Sequence, residues 1–151
     1  MMSIKKFLRT LKNLGKESIN KGKAWLHGYY NEQGELSFKK IPSEQIIPLW
    51  RDSAHTELDA LIRVYEVEVY EGKEKKRVTK IEYWDTNGVK RYVFEGGKLI
   101  PDVEVGDVDS HFYIVNGAGE RIGVNWQRVP FICFKYNEEE QPLIDFVKDL
   151  V

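Results

Sequence analysis

Val78-Thr79-Lys80-Ile81-Glu82-Tyr83-Trp84-Asp85-Thr86-Asn87-Gly88-Val89-Lys90-Arg91-Tyr92-Val93-Phe94-Glu95-Gly96-Gly97-Lys98-Leu99-Ile100 is the stretch that decides the fold class. Asn87-Gly88 readily takes the left-handed geometry of a tight hairpin, and Gly96-Gly97 permits a second reversal. The segments between them, 78–84, 89–95 and 98–100, are rich in β-branched and aromatic residues that suit a half-buried pleated surface. Three consecutive antiparallel strands follow, and Pro101, which has no N–H for a ladder, ends the third.

Upstream, strand signals continue. A hairpin is expected from 23–30 and 35–41 around Asn31-Glu32-Gln33-Gly34, with the glycine supplying a positive φ. Pro48 in Ile46-Ile47-Pro48-Leu49-Trp50 confines that piece to a sheet edge or a bend. Over 58–70 helical and alternating spacings compete, and a strand is expected from about Ala60, followed by a polar turn holding Lys73, Lys75, Lys76 and Arg77. Downstream, the acidic stretch to Asp109 reads as a loop or mobile edge. Extended segments follow at 111–115 and 128–136, with a turn at 116–120.

Both ends carry helical patterns. Ile4, Phe7, Leu8, Leu11 and Leu14 form one apolar stripe, with Lys5, Lys6, Arg9 and Lys12 off it and Gly15 or Gly22 as the stop. This predicts a helix docked on its own sheet with a solvated basic face; a basic anchor for a membrane surface is the competing reading. At the other end Asn137 is a fair N-cap and Glu138, Glu139 and Glu140 suit a helix start. Leu143, Phe146, Val147 and Leu150 mark an apolar face that meets no stop signal before Val151, so this helix reads as unfinished.

The expected fold is therefore α+β and predominantly antiparallel, with about eight strands, an N-terminal amphipathic helix and a truncated C-terminal helix. It is expected as one domain over 1–151: helix 1–22, β-rich body 23–136, and the start of a truncated helix over 137–151.

An apolar fraction of 42%, a charged fraction of 31% and a mean hydropathy of -0.48 are ordinary for a soluble domain and argue against a disordered or membrane-embedded chain. A net charge of -1 selects no nucleic acid or anionic membrane as partner. The charge is unevenly placed. Residues 1–23 hold seven Lys/Arg and one acid, whereas residues 101–120 hold Asp102, Glu104, Asp107, Asp109 and Glu120 and no Lys or Arg. A single cysteine, Cys133, excludes an internal disulfide and any CxxC site.

The residues that could carry chemistry do not form a motif. His27, His55 and His111 lie in separate segments without metal-ligand spacing. Asp52, Ser53 and His55 share a polar turn and are too close in sequence to converge as a triad. Cys133 reads as a buried small hydrophobe. Gly117, Gly119 and Gly123 read as a hairpin turn, because the pyrophosphate-binding alternative needs a helix directly behind the glycines. Asp102, Glu104, Asp107 and Asp109 lack the order and the closing Glu of a calcium loop. No catalytic, cofactor-binding or metal residue is assigned. The four tryptophans, 25, 50, 84 and 126, support one alternative function, a sheet that binds glycans or single-stranded nucleic acid by stacking.

Two blocks go beyond composition. The segment Ile41-Pro42-Ser43-Glu44-Gln45-Ile46-Ile47-Pro48-Leu49-Trp50-Arg51-Asp52 with Leu58-Asp59-Ala60-Leu61-Ile62-Arg63-Val64-Tyr65 resembles the portal (head-to-tail connector) proteins of tailed bacteriophages. So does Arg128-Val129-Pro130-Phe131-Ile132-Cys133-Phe134-Lys135-Tyr136-Asn137-Glu138-Glu139-Glu140, and the early hairpin from Gly22-Lys23-Ala24-Trp25 to Gly34-Glu35-Leu36 is similar as well. The sequence departs from the family at Tyr136, where an Asn is expected, and at Pro142, where a polar residue is commoner.

The resemblance implies a fragment of the peripheral wing, without the stem, clip and crown that build the DNA channel. It implies a structural, non-enzymatic subunit of a homo-oligomeric ring, usually dodecameric, at one capsid vertex of the virion, assembled in the bacterial host cytoplasm. Terminase, capsid or scaffold proteins and head-completion proteins are the implied partners; DNA passes through the full-length channel, and no membrane or cofactor is involved. The chain alone is then expected to be a monomer or weak oligomer that does not bind DNA tightly, and its acidic and basic poles become candidate subunit contacts.

Overall fold

A computed structural model describes residues 2–142. The chain forms two compact units, one from Met1–Glu44 with Pro130–Val151 and one from Gln45–Val129.

In the first unit, helix α1 (Ile4–Lys21) opens where the Ser3 hydroxyl accepts a hydrogen bond from the Lys6 N–H at 3.3 Å. It closes on Gly22, whose N–H donates to the Ser18 carbonyl and whose φ of 87° then turns the chain out of the helix. Of the two expected stops only Gly22 is used; Gly15 lies inside the helix. Strands β1 (Lys23–Tyr30) and β2 (Leu36–Ile41) form the expected hairpin. The Asn31 carboxamide oxygen accepts from the Gln33 and Glu35 N–H groups, and Gly34 has a φ of 75°.

The last strand, β11 (Phe131–Lys135), pairs antiparallel with β1 and completes the sheet order β11-β1-β2. Leu14 packs on Ala24 and Leu26, with Leu11 and Phe38 at the margin. Burying Leu14 alone is worth about 1.5–3 kcal/mol.

In the second unit, β3 (Ile46–Trp50), β4 (Leu58–Glu71), β5 (Glu74–Asp85), β6 (Gly88–Glu95) and β7 (Lys98–Pro101) lie in sequential antiparallel order, and β8 (Val108–Asp109) pairs with β6. Pro48 sits in the edge strand, and a bulge at Leu49/Trp50 shifts the register there. A separate hairpin joins β9 (Phe112–Val115) to β10 (Arg121–Val124). Period-two alternation gives one covered face, where the cross-strand row Leu61, Trp84 and Val89 is buried. The opposite face is more open, with Ile47, Phe94 and Leu99 exposed.

Among the described residues the strands number eleven, where about eight were expected. The two-residue β8 is an addition, whereas β10 completes the hairpin whose turn was expected at 116–120. The basic stretch expected as a turn is largely strand, because Glu68 with Lys75, Glu71 with Lys76 and Glu66 with Arg77 pair across the β4–β5 hairpin. The turn proper is Gly72-Lys73, between the two strands.

At the expected start of the second helix, Asn137 instead closes a turn. Its side chain accepts from the Gln141 N–H and donates to the Gln141 carbonyl, and Glu140 has a φ of 58°. The remainder of that expected helix, 143–151, lies outside the described residues.

Candidate interaction surfaces

The basic pole is built by α1. Lys5, Lys6, Arg9, Lys12 and Lys16 are exposed, whereas Glu17 on the inner side is buried and held by the Lys40 and Lys21 ammonium groups and the Ser43 N–H at 3.1–3.2 Å. Burial pushes the Glu17 carboxyl up, but the bonds it accepts from Lys40, Ser43 and Lys21 outweigh that and leave it below the ordinary range.

The acidic pole is less free than its composition suggests. Asp102 is 4% exposed and pairs with the Lys80 ammonium at 2.5 Å. The Arg91 guanidinium donates to the Asp109 carboxylate and the Gly106 carbonyl, each at 3.2 Å. Burial pushes Asp109 up, and hydrogen bonds from Tyr113 and Arg91 more than reverse this, so its carboxyl titrates low. Exposed acids of this pole are Glu104, Asp107 and Glu120. The expected loop is therefore pinned, and Asp102 belongs to the interior.

Under the loop runs a row of alternating charge. Arg63, Glu82 and Arg91 are cross-strand neighbours on β4, β5 and β6. Glu82 is 3.6 Å from the Arg63 guanidinium and accepts from the Trp84 indole and the Tyr65 hydroxyl, while Arg63 also donates to Gln45 and lies 4.1 Å from the Tyr65 ring centre. Burial, followed by the Glu82 charge, pushes the Tyr65 phenol up. Sequence reasoning missed this row. The usable signal was parity: Lys80, Glu82 and Trp84 share one face, and the Asn-Gly turn sets Arg91 opposite Glu82.

The chemistry-bearing residues are each engaged locally. His27 is buried in β1, bonded through Nδ1 to the Pro130 carbonyl and stacked on Phe131; His55 stacks on Trp50. His111 lies near both Trp84 and Trp126. Its Nε2 donates to the Asp85 carbonyl at 2.7 Å while Nδ1 accepts the Trp126 N–H at 3.0 Å, which fixes a neutral ring. Burial lowers its pKa below 6.5.

The Asp52 carboxylate accepts from the Thr56 hydroxyl and from the Thr56 and Glu57 N–H groups, which holds it down to about 2. Burial, then the Glu140 charge, pushes the Cys133 thiol up to about 11, so little thiolate exists near neutrality. Gly119 takes a φ of 80° in the 116–120 turn; Gly123 lies in β10, where a Cβ would meet the Ser110 hydroxyl. Among the described residues no group of three His, Cys, Asp or Glu is disposed to hold a metal, and no helix is long and apolar enough to cross a membrane. Trp25 and Trp84 are buried and Trp50 and Trp126 half-buried, so the rings line no open stacking platform.

Comparison with known proteins supplies the family. The family described as "Phage portal protein, SPP1 Gp6-like" matches residues 3–151. The portal protein of Bacillus phage SPP1 is 30% identical over 142 residues, covering 94% of this chain and 26% of that protein. The portal protein of Clostridium phage phiCD119 is 35% identical over 100 residues, covering 60% of this chain and 22% of that protein. The chain thus spans about a quarter of the length of these curated relatives. A match over nearly every residue, including both blocks that carried the sequence resemblance, places the assignment beyond a shared β-rich composition: the chain belongs to the SPP1 Gp6-like family of phage portal proteins.

Proposed function

We propose that this chain is the wing-region part of a longer portal subunit, a structural protein of the phage particle. Identical subunits form a homo-oligomeric ring at one capsid vertex, through which DNA is packaged and later ejected. Terminase docks on the ring during packaging, capsid or scaffold proteins surround it, and head-completion proteins bind it afterwards. The ring assembles in the host cytoplasm and ends in the virion. The subunit itself breaks no bond, and the channel around the DNA is built by other parts of the same polypeptide.

The family match over residues 3–151 carries this reading. The geometry supports it: two small β-rich units present charged and apolar surface, while His27 and His111 are held by backbone carbonyls and Trp25 and Trp84 are buried. By itself the chain is expected to be monomeric or weakly oligomeric and not to retain DNA at physiological salt. The test is deletion of the gene encoding this chain from the phage genome. Induced cells are expected to accumulate heads without DNA, with packaging restored by the gene in trans; genome-filled heads from the deletion would contradict the proposal.

A further inference from the structure

Helix α1 carries more apolar surface than its own sheet covers. Phe7, Leu11 and Leu14 turn toward the sheet, whereas Ile4, Leu8 and Ile19 are 70%, 57% and 39% exposed. Helical spacing sets Ile4, Leu8, Gly15 and Ile19 along one flank, and a Cβ at Gly15 would meet nothing within 4 Å. Lys5, Arg9, Lys12 and Lys16 border this flank, exposed and without an ion pair among the described residues.

The other unit offers a surface of complementary chemistry. In Asp102-Val103-Glu104-Val105-Gly106-Asp107-Val108 the three valines are 77%, 62% and 67% exposed, and Glu104 and Asp107 are exposed beside them. This loop is not slack. The Asp102 carboxylate is held by Lys80, its N–H donates to the Arg91 carbonyl, and the Gly106 N–H donates to the Asp102 carbonyl. Arg91 then binds the Gly106 carbonyl through its guanidinium and the Asp107 carbonyl through its N–H. A backbone fixed at these points that still turns valines to water needs little further ordering on contact.

We infer that the flank of α1 bearing Ile4, Leu8 and Ile19 on one copy of this chain docks the 102–108 loop of a second copy. The valines cover Ile4 and Leu8, and Glu104 and Asp107 face Lys5, Arg9 and Lys12. Charge complementarity selects a second copy as the occupant: the exposed Glu104 and Asp107 beside the valines carry the charge opposite to Lys5, Arg9 and Lys12 beside Ile4 and Leu8. The two surfaces differ, so the contact is heterologous and repeats head to tail, closing into a ring where the rotation permits; in this it rests on the ring reading above.

The test uses the whole chain with Cys133→Ser, carrying either Leu8→Cys or Val103→Cys, the two variants purified separately and mixed under oxidising conditions. Both positions are exposed, so neither change disturbs a core. The mixed disulfide is expected to exceed either homodimer by about tenfold. Reversing Glu104 and Asp107 to Lys in the loop partner should lower its yield about tenfold, and reversing Lys5, Arg9 and Lys12 to Glu in the helix partner should restore it. Homodimers forming as fast as the mixed species, or a yield indifferent to charge reversal, would overturn the inference. Ring formation is scored separately in the complete subunit. Rings that tolerate the loop reversal refute this contact and leave the ring reading intact; an unsubstituted subunit that forms no ring refutes the ring reading itself.

Discussion

The two units solve the same problem, a small sheet that must hold its shape, with opposite chemistry. The first packs a helix on three strands through Leu14, Ala24 and Leu26, and admits a buried carboxylate, Glu17. The second covers one sheet face partly with paired charges, Arg63 with Glu82, Arg91 with Asp109 and Lys80 with Asp102. Apolar burial tolerates imprecise direction, whereas a buried pair is favourable only when its geometry is held. The first unit therefore derives stability from volume, and the second derives a defined loop conformation from charge.

That contrast breaks most visibly at Trp25, which has no exposed surface. Trp25→Ala is expected to destabilise the first unit by about 3–5 kcal/mol, read as a lowered urea midpoint. Asp102→Ala strands the Lys80 ammonium in a site where its side chain is 15% exposed and should cost the second unit about 3 kcal/mol. Replacing both, as Lys80→Met with Asp102→Leu, should recover most of that stability, because the pair gains little net over an apolar substitute. A double variant as unstable as the single one would mean the pair is a net stabiliser, which contradicts the comparison.

Acid should also separate the units. Because His111 titrates below 6.5 when folded, its contribution is complete above pH 6.5 and erodes as pH falls below it, where the unfolded chain takes up the proton first. Glu17, lowered from 4.5, keeps its contribution above 4.5 and loses it only in stronger acid. The second unit is thus expected to lose stability first on acidification, followed by hydrogen exchange at its strands, and His111→Phe should flatten that early slope. The smallest effect lies at the start of α1: Ser3→Ala removes the cap on the Lys6 N–H and should cost about 1 kcal/mol, with fraying confined to the first turn.

Much of the fold was legible because local signals were strong. Asn87-Gly88 and Gly96-Gly97 set three strands in register, and Pro48 marked the edge strand correctly. The family was legible too, from residues 41–65 and 128–140. The buried charges were not. Lys80 and Asp102 lie 22 positions apart, and nothing local separates a buried aspartate from its exposed neighbours Glu104 and Asp107. The stripe of α1 was read as one surface although it is two, since Ile4 lies only about 20° and Leu8 about 60° from Leu11 in projection and spacing alone does not say where the sheet ends. Strand β4 begins at Leu58, ahead of the expected Ala60, because pairing of Trp50 with Leu58 beyond the bulge extends the ladder.

The central claim is that these units belong to a ring-forming structural subunit, and imaging the purified complete subunit by electron microscopy tests it most directly. Closed rings of uniform subunit number, with β-rich density of this two-unit form at their periphery, are the expected result. A uniformly monomeric protein at concentrations where capsids assemble would contradict it.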